Sequence, residues 1–304
     1  MATKSESRLK ELIKRLWYPI RNSQVIYGPV LNYRWRKNRE HYQPAFDKKF
    51  LVLSESIVSE LRINGIAFSH VDELFPNLNY EESLGRWCNK HESRLAQKDK
   101  KTFLLSYFGK NSHEVLIEKE NPFFKFFLSD EILFLCREYL GYLPQLNYLA
   151  VEKTIPLPNS NSPQYSQNWH RDPEEKRTLK VFIYINDVDE SNGPFIYIKR
   201  SQPSSKFRYS KLFPQVLPYG SYPDAVKLQE LIDPEDIAVA TGKSGTVIFC
   251  DTAGIHRGGL ASKGERIMAT AFYPSRKWSE KPSVKSTSEV NLEDYGKLAT
   301  EVVF

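Results

Sequence analysis

Leu9, Leu12, Ile13, Leu16, Trp17 and Ile20 recur at helical spacing, with Arg8, Lys10, Lys14 and Arg15 between them. That pattern predicts a basic amphipathic helix over residues 8–20. Its apolar stripe fits either a membrane surface or partner or the body of the same chain, and docking on the body is the expectation. Residues 21–45 are basic and aromatic with little periodicity, and are expected to wrap the surface. From Ser54, SESIVSELRINGIAF reads as a helix stopped by Asn64-Gly65 and followed by a short strand. The charged segment YEESLGRWCNKHESRLAQK (80–98) predicts a second helix. LSDEILFLCREYLG (128–141) predicts a third, with Ser129 or Asp130 as N-cap and Gly141 as the stop. The first half therefore reads as mainly helical.

The second half changes character. QLNYLAVEKTI, LKVFIYIND, PFIYIKR, GTVIFCDT and RIMATAFYP are rich in β-branched and aromatic residues and are bounded by Gly, Pro, Asn or Asp. A long stretch containing Pro and Tyr, residues 201–242, separates the third of these from the fourth, and a connection of that length inside a β region predicts a lid or active-site loop. Phe207, Tyr209, Phe213, Tyr219 and Tyr222 would be available to cover a substrate. Lys206, Arg208 and Lys211 make the first part of the loop basic, which predicts an acidic group on the substrate. A solvated loop is the competing expectation. The order of elements predicts a single α+β domain over 1–304. Within it, 1–50 form a basic N-terminal helix and wrap, 54–141 a mainly helical support, 145–275 a β core carrying the 201–242 lid, and 276–304 a C-terminal extension.

Charge sharpens this division. Residues 1–50 hold 12 Lys/Arg against 4 Asp/Glu, whereas the remainder holds 31 against 33, so the net charge of +6 belongs to the N-terminal segment. A balanced body argues against a nucleic-acid groove. Cys88, Cys136 and Cys250 are sparse, odd in number and without a CxxC pair, which points to a reducing compartment and away from a thiolate zinc site. The N-terminus shows no secretory pattern and no apolar run reaches membrane-spanning length. A cytoplasmic location is expected.

Candidate chemistry gathers in NWHRDPEEKRTLKVFIYIND (168–187). The letters HRD also occur in kinase catalytic loops, but those need an Asn five residues after the Asp, and position 177 is Arg. In an extended segment, residues i and i+2 share a face, so His170 and Asp172 would present an imidazole and a carboxylate together. CDTAGIHRGGLASKGERIMATAFY supplies His256 after a strand. Two His and one carboxylate form the facial triad of non-haem Fe(II) oxygenases, with positions left open for co-substrate and O2. Arg266 begins the next strand and shares its inner face with Met268, Thr270 and Phe272. A guanidinium on an apolar face needs an anion, and its fork suits a carboxylate. A dicarboxylate chelating iron at one end and meeting Arg266 at the other satisfies both demands. A lone HxD carries little information, because such pairs arise by chance; the ordered set carries the argument. Gln167 and Trp169 are candidates for the pocket lining, with Trp169 equally suited to plain core. Lys153, on the strand 147–154, is a further candidate for the co-substrate, against the ordinary reading of a lysine directed to solvent.

HRD at 170–172, SNGPFIYIKRSQ at 191–202 and GTVIFCDTAGIHRGG with Arg266 resemble the phytanoyl-CoA dioxygenase family of Fe(II)/2-oxoglutarate oxygenases. The resemblance extends loosely over 54–275 and more closely over 165–275. It implies a double-stranded β-helix (jelly-roll, cupin-like) core with flanking helices, iron held by His170, Asp172 and His256, and 2-oxoglutarate held through its C5 carboxylate by Arg266. It implies attack on an unactivated C–H bond in a small-molecule metabolite, with hydroxylation the default because related halogenases replace the carboxylate at position 172 with Gly or Ala, and with desaturation, ring formation or demethylation left open. Two positions depart from the family pattern. Arg200-Ser201-Gln202 stand where Gly-Ser-His is usual, and Gly258 replaces a polar residue after the distal His. A catalytically silent binding protein and a lipid-modifying oxygenase at a membrane surface are the alternatives. A zinc hydrolase would need a general base, as in HExxH, that the sequence lacks.

Overall fold

The computed structural model describes residues 42–98, 101–108, 115–156, 162–206, 208–216, 220–274, 284–286 and 289–303, together with the isolated positions 29 and 33. The helix expected over 8–20, and Phe207 and Tyr219 of the expected lid, lie outside these residues.

Helix α1 (Lys48–Asn64) buries Phe50, Ile57, Val58 and Leu61, one stripe at helical spacing. The Asp47 side chain accepts from Phe50 N at 2.7 Å to start it. Gly65, at φ 78°, ends it, and a Cβ there would lie 2.2 Å from the Tyr197 hydroxyl, so both conformation and space require glycine. Strand β1 (Ile66–His70) follows, then α2 (Val71–Leu74) and α3 (Tyr80–Lys90). The helix expected over 80–98 ends at Lys90. A 3-10 turn over Glu92–Arg94 leads into β2 (Ala96–Lys98), which pairs with β3 (Lys101–Phe108); sheet pairing has overridden the local helical pattern. After β4 (Val115–Leu116) come α4 (Pro122–Phe127) and α5 (Asp130–Leu140). Ser129 caps α5, and Gly141 at φ 79° stops it.

Among the described residues, eight further strands and two short helices follow in the order β5 (Tyr148–Thr154), β6 (Leu179–Tyr184), β7 (Phe195–Ile198), α6 (Ala225–Leu231), β8 (Ile237–Ala240), β9 (Thr246–Cys250), β10 (His256–Gly258), β11 (Arg266–Tyr273), β12 (Val284–Lys285) and α7 (Ala299–Val302). Seven strands form an antiparallel sheet in the order β1-β9-β6-β11-β5-β3-β2, and three form a smaller one, β10-β7-β8. β8 lies inside the segment expected to be a lid. Its small inward residues, Ala238 and Ala240, give little apolar signal, and Val239 between them faces outward.

The larger sheet is covered on both faces. Val181, Ile183, Val247, Phe249, Ala269 and Ala271 pack toward a core shared with Leu61, Phe127 and Ile132 of the helices. Phe182, Tyr184, Ile248 and Cys250 pack against Phe195, Tyr197, Ala238 and Ala240 of the smaller sheet. That explains why β6 and β9 read as continuous apolar runs instead of alternating ones. The architecture is an α+β fold with a double-stranded β-helix core. Cys88, Cys136 and Cys250 are free and buried. No described helix is long and apolar enough to cross a membrane.

Candidate metal centre

His170 and His256 form an isolated antiparallel bridge, each backbone N–H donating to the other's carbonyl at 2.9 Å. Two residues on, Asp172 N donates to Thr252 O at 2.9 Å. The HxD segment is thus held along the loop that delivers His256. His170 Nδ1 lies 2.8 Å from Asn168 O, and His256 Nδ1 lies 3.0 Å from Gly254 O. Carbonyls only accept, so each Nδ1 is the donor and the lone pair of each neutral ring sits on Nε2. Both Nε2 atoms lie 3.8 Å from Asp172 Oδ1. One atom from each of the three residues falls within 4.8 Å of the others, so these side chains fit a single ion with a two-nitrogen, one-oxygen donor set.

Electrostatics favour the ligating forms. Burial, with His170 beside it, lowers the pKa of His256 to about 3, so its ring is neutral across the neutral range. For Asp172 burial acts upward, but the Lys180 ammonium and the two imidazoles hold its carboxyl well below the usual carboxylate range. Lys180 Nζ is 2.6 Å from Asp172 Oδ2. Glu174, buried close by, is pushed up to about 7 by burial and by the charge of Asp172.

The segments around the ligands are fastened by a few side chains. Arg171, 1 % exposed, donates to the carbonyls of Ser201, Tyr209, Leu212, Phe213 and Ala253. Its backbone N–H donates to Ser221 O at 2.9 Å. Gly220 next to that bridge has φ 72°, and a Cβ there would lie 2.4 Å from Arg171 O. Gln215 donates to Asp172 O and Glu175 O. On the other side, the Asp251 carboxylate accepts from Tyr139 Oη at 2.6 Å and from Thr178 N and Ala253 N at 3.1 Å. Burial raises its pKa to about 6 despite these donors. The first part of the expected lid is therefore pinned: Tyr209 is buried and its hydroxyl accepts from Asp233 N. Tyr222 is exposed and stacks on His170, ring centroids 6.1 Å apart. Lys206 and Lys211 are exposed and do not line the cavity at the ligands.

That cavity, about 190 Å³, is lined by His170 and His256 at one end and Arg266 at the other, with Phe182, Phe195 and Met268 between. Arg266 is 6 % exposed. Its terminal nitrogens donate to Gly193 O and, at 3.2 Å, to Thr154 Oγ1, while Nε has no partner. Among the described residues no carboxylate forms an ion pair with it, and burial lowers its pKa, with Tyr184 and, less strongly, the Glu152 carboxylate of the same cavity acting against that effect. A buried guanidinium with no carboxylate in direct contact is costly, so this end of the cavity fits a carboxylate.

The other sequence candidates divide. Gln167 lines the cavity; Trp169 is buried outside its lining, with the Arg257 guanidinium 4.7 Å over its ring. Lys153 is not brought to the cavity. Glu152 and Thr154 face inward, and alternation turns Lys153 to the opposite side, where it pairs with Glu92 at 3.3 Å and Glu265 at 3.2 Å. Arg200-Ser201-Gln202 prove to be stitching. Ser201 Oγ accepts from Ile255 N at 2.7 Å, and Gln202 donates to the carbonyls of Arg62 and Ile63 at the end of α1. Gly258 lines the cavity. Sequence reasoning passed over Lys180, although its alternation with Phe182 and Tyr184 places it inward, and Arg171, for which the sequence carries no signal.

No protein-family model matches the sequence, and neither does any curated protein compared by sequence. Solved structures do resemble the fold. The epimerase SnoN in complex with Fe3+, alpha ketoglutarate and nogalamycin RO matches with a TM-score of 0.50 and 13 % identity, over 74 % of this chain and 84 % of that one. AviO1 from Streptomyces viridochromogenes Tue57 matches with a TM-score of 0.50 and 13 % identity, over 79 % of this chain and 100 % of that one. At these identities the likeness is one of fold.

Proposed function

We propose that the chain is an Fe(II)- and 2-oxoglutarate-dependent oxygenase of the phytanoyl-CoA dioxygenase type, hydroxylating a small organic molecule. One observation carries the reading: a His-Asp-His set with its ligand atoms within 4.8 Å of one another shares a cavity with a buried guanidinium that has no carboxylate in ion-pair contact. That SnoN holds iron and alpha ketoglutarate in a similar fold supports it.

His170 and His256 would hold the ion through Nε2 and Asp172 through Oδ1. Arg266, with the Thr154 hydroxyl beside it, would take the C5 carboxylate of the co-substrate. Bound iron supplies O2 activation coupled to oxidative decarboxylation of 2-oxoglutarate, and with it the power to hydroxylate an unactivated C–H bond. The protein's part is placement. The paired backbones of His170 and His256 fix the spacing of the two rings, and Phe182, Phe195 and Met268 keep the space between the ion and Arg266 apolar. Because Asp172 occupies the carboxylate position, no ligand place is left for a halide, which favours hydroxylation over halogenation.

Anaerobic titration with Fe(II) and 2-oxoglutarate tests this. Wild type is expected to develop the weak visible charge-transfer band of the chelate, and folded His256→Ala to show none. Folded wild-type protein without the band would overturn the reading.

A further inference from the structure

The two oxygens of Asp172 have different neighbours. Oδ1 lies 3.8 Å from both imidazole Nε2 atoms, in the position of a ligand. Oδ2 accepts from Lys180 Nζ at 2.6 Å, a short charge-assisted bond. Lys180 is held there from other sides as well. Its strand is paired on both edges, with Cys250 in β9 and Phe272 in β11, and its ammonium lies 5.5 Å from the centroid of the Phe272 ring. Lys180 also lines the cavity that holds His170, His256 and Arg266. A lysine at this place is unexpected if its task is only to strengthen metal binding, because an ammonium next to a divalent cation repels it.

Both facts follow from a different task, and the inference rests on the oxygenase reading above. We infer that Lys180 is a positioning residue that occupies Oδ2, restricting Asp172 to one-oxygen ligation and keeping the ion's remaining positions and positive charge for the dicarboxylate. Without Lys180, the freed Oδ2 could turn to the ion and take a further coordination position. The carboxylate charge would then fall wholly on the ion. Metal would bind no worse, and the incoming anion would bind less tightly.

This opposition separates the inference from simple structural support, which would weaken both steps together. Lys180→Met and Lys180→Arg are compared with wild type for fold by thermal melting, for Co(II) affinity by its visible absorption, and for 2-oxoglutarate affinity on the Co(II)-loaded protein. Lys180→Met is expected to bind Co(II) within threefold of wild type or more tightly, and 2-oxoglutarate at least tenfold more weakly. Lys180→Arg, which retains a donor and a charge, is expected to recover most of the 2-oxoglutarate affinity. Folded Lys180→Met with 2-oxoglutarate affinity within twofold of wild type overturns the inference. So does a loss of Co(II) affinity as large as the loss for 2-oxoglutarate. If Lys180→Met does not fold, Lys180→Gln replaces it in the same comparison. Failure of wild type itself to bind Co(II) is a separate outcome, which refutes the oxygenase reading and this inference together.

Discussion

Arg266 opens a strand that pairs over its length with β5 and, from Met268, with β6. His170 and Asp172 belong to no such ladder. They stand in an irregular segment before β6, joined to its surroundings by isolated bridges and single side-chain hydrogen bonds. The cavity thus has one end whose support is shared among many equivalent ladder bonds. Its other end depends on a few irreplaceable groups, chiefly Arg171 and Asp251. A regular sheet tolerates the loss of any one contact, because its neighbours preserve the register. A junction of loops has no such redundancy, so the geometry of the ligands should be far more sensitive to single substitutions than the anchor for the co-substrate.

The most severe way to test that contrast is Arg171→Met. It would leave five carbonyls without their donor, most of them buried, at an expected cost of about 3–5 kcal/mol, to be read by urea denaturation. A loss under about 1 kcal/mol would show that the junction is not organised around this residue.

An intermediate effect comes from pH. His256 has a folded pKa of about 3, lowered chiefly by burial, against an unfolded value near 6.5. Between those values the unfolded chain binds the extra proton and the folded chain does not. The metal-free protein should therefore lose stability as pH falls from about 6.5 toward 3. His256→Phe, which cannot take up that proton, should show a shallower pH dependence. Parallel profiles for the two proteins would contradict the assignment.

The smallest effect belongs to the sheet end. Lys153→Met breaks two pairs with Glu92 and Glu265, both of them exposed partners on the far side of β5. It should change stability by less than about 1 kcal/mol and leave 2-oxoglutarate binding unchanged. A clear loss of co-substrate affinity would return Lys153 to the site.

The same contrast governs what could be read from the sequence. The long strands announced themselves, because β6, β9 and β11 are covered on both faces and so are mostly apolar. Chemical type and order likewise pointed to His170, Asp172, His256 and Arg266 before any geometry was available. β2 escaped notice, as its pairing with β3 is a tertiary choice, and so did β8, whose inward residues are two alanines. Arg171 was hidden for a different reason. Its partners are five backbone carbonyls spread over Ser201 to Ala253, and carbonyls leave no trace in a residue pattern. Lys153 and Lys180 show the cost of ignoring the face: each lies on a central strand, and alternation alone separates the one turned outward from the one in the cavity.

The bridge between His170 and His256 also bears on the order of events as the chain folds. The two rings are brought together only when segments far apart in the sequence have met, and closing such long loops comes late relative to local helices and hairpins. Before closure the chain presents at most the His170–Asp172 half of the set, too few donors to retain an ion against water. Small zinc modules fold around their metal. Here the apolar core between the sheets has to assemble the binding place first, so an ion would reward completed folding without guiding it.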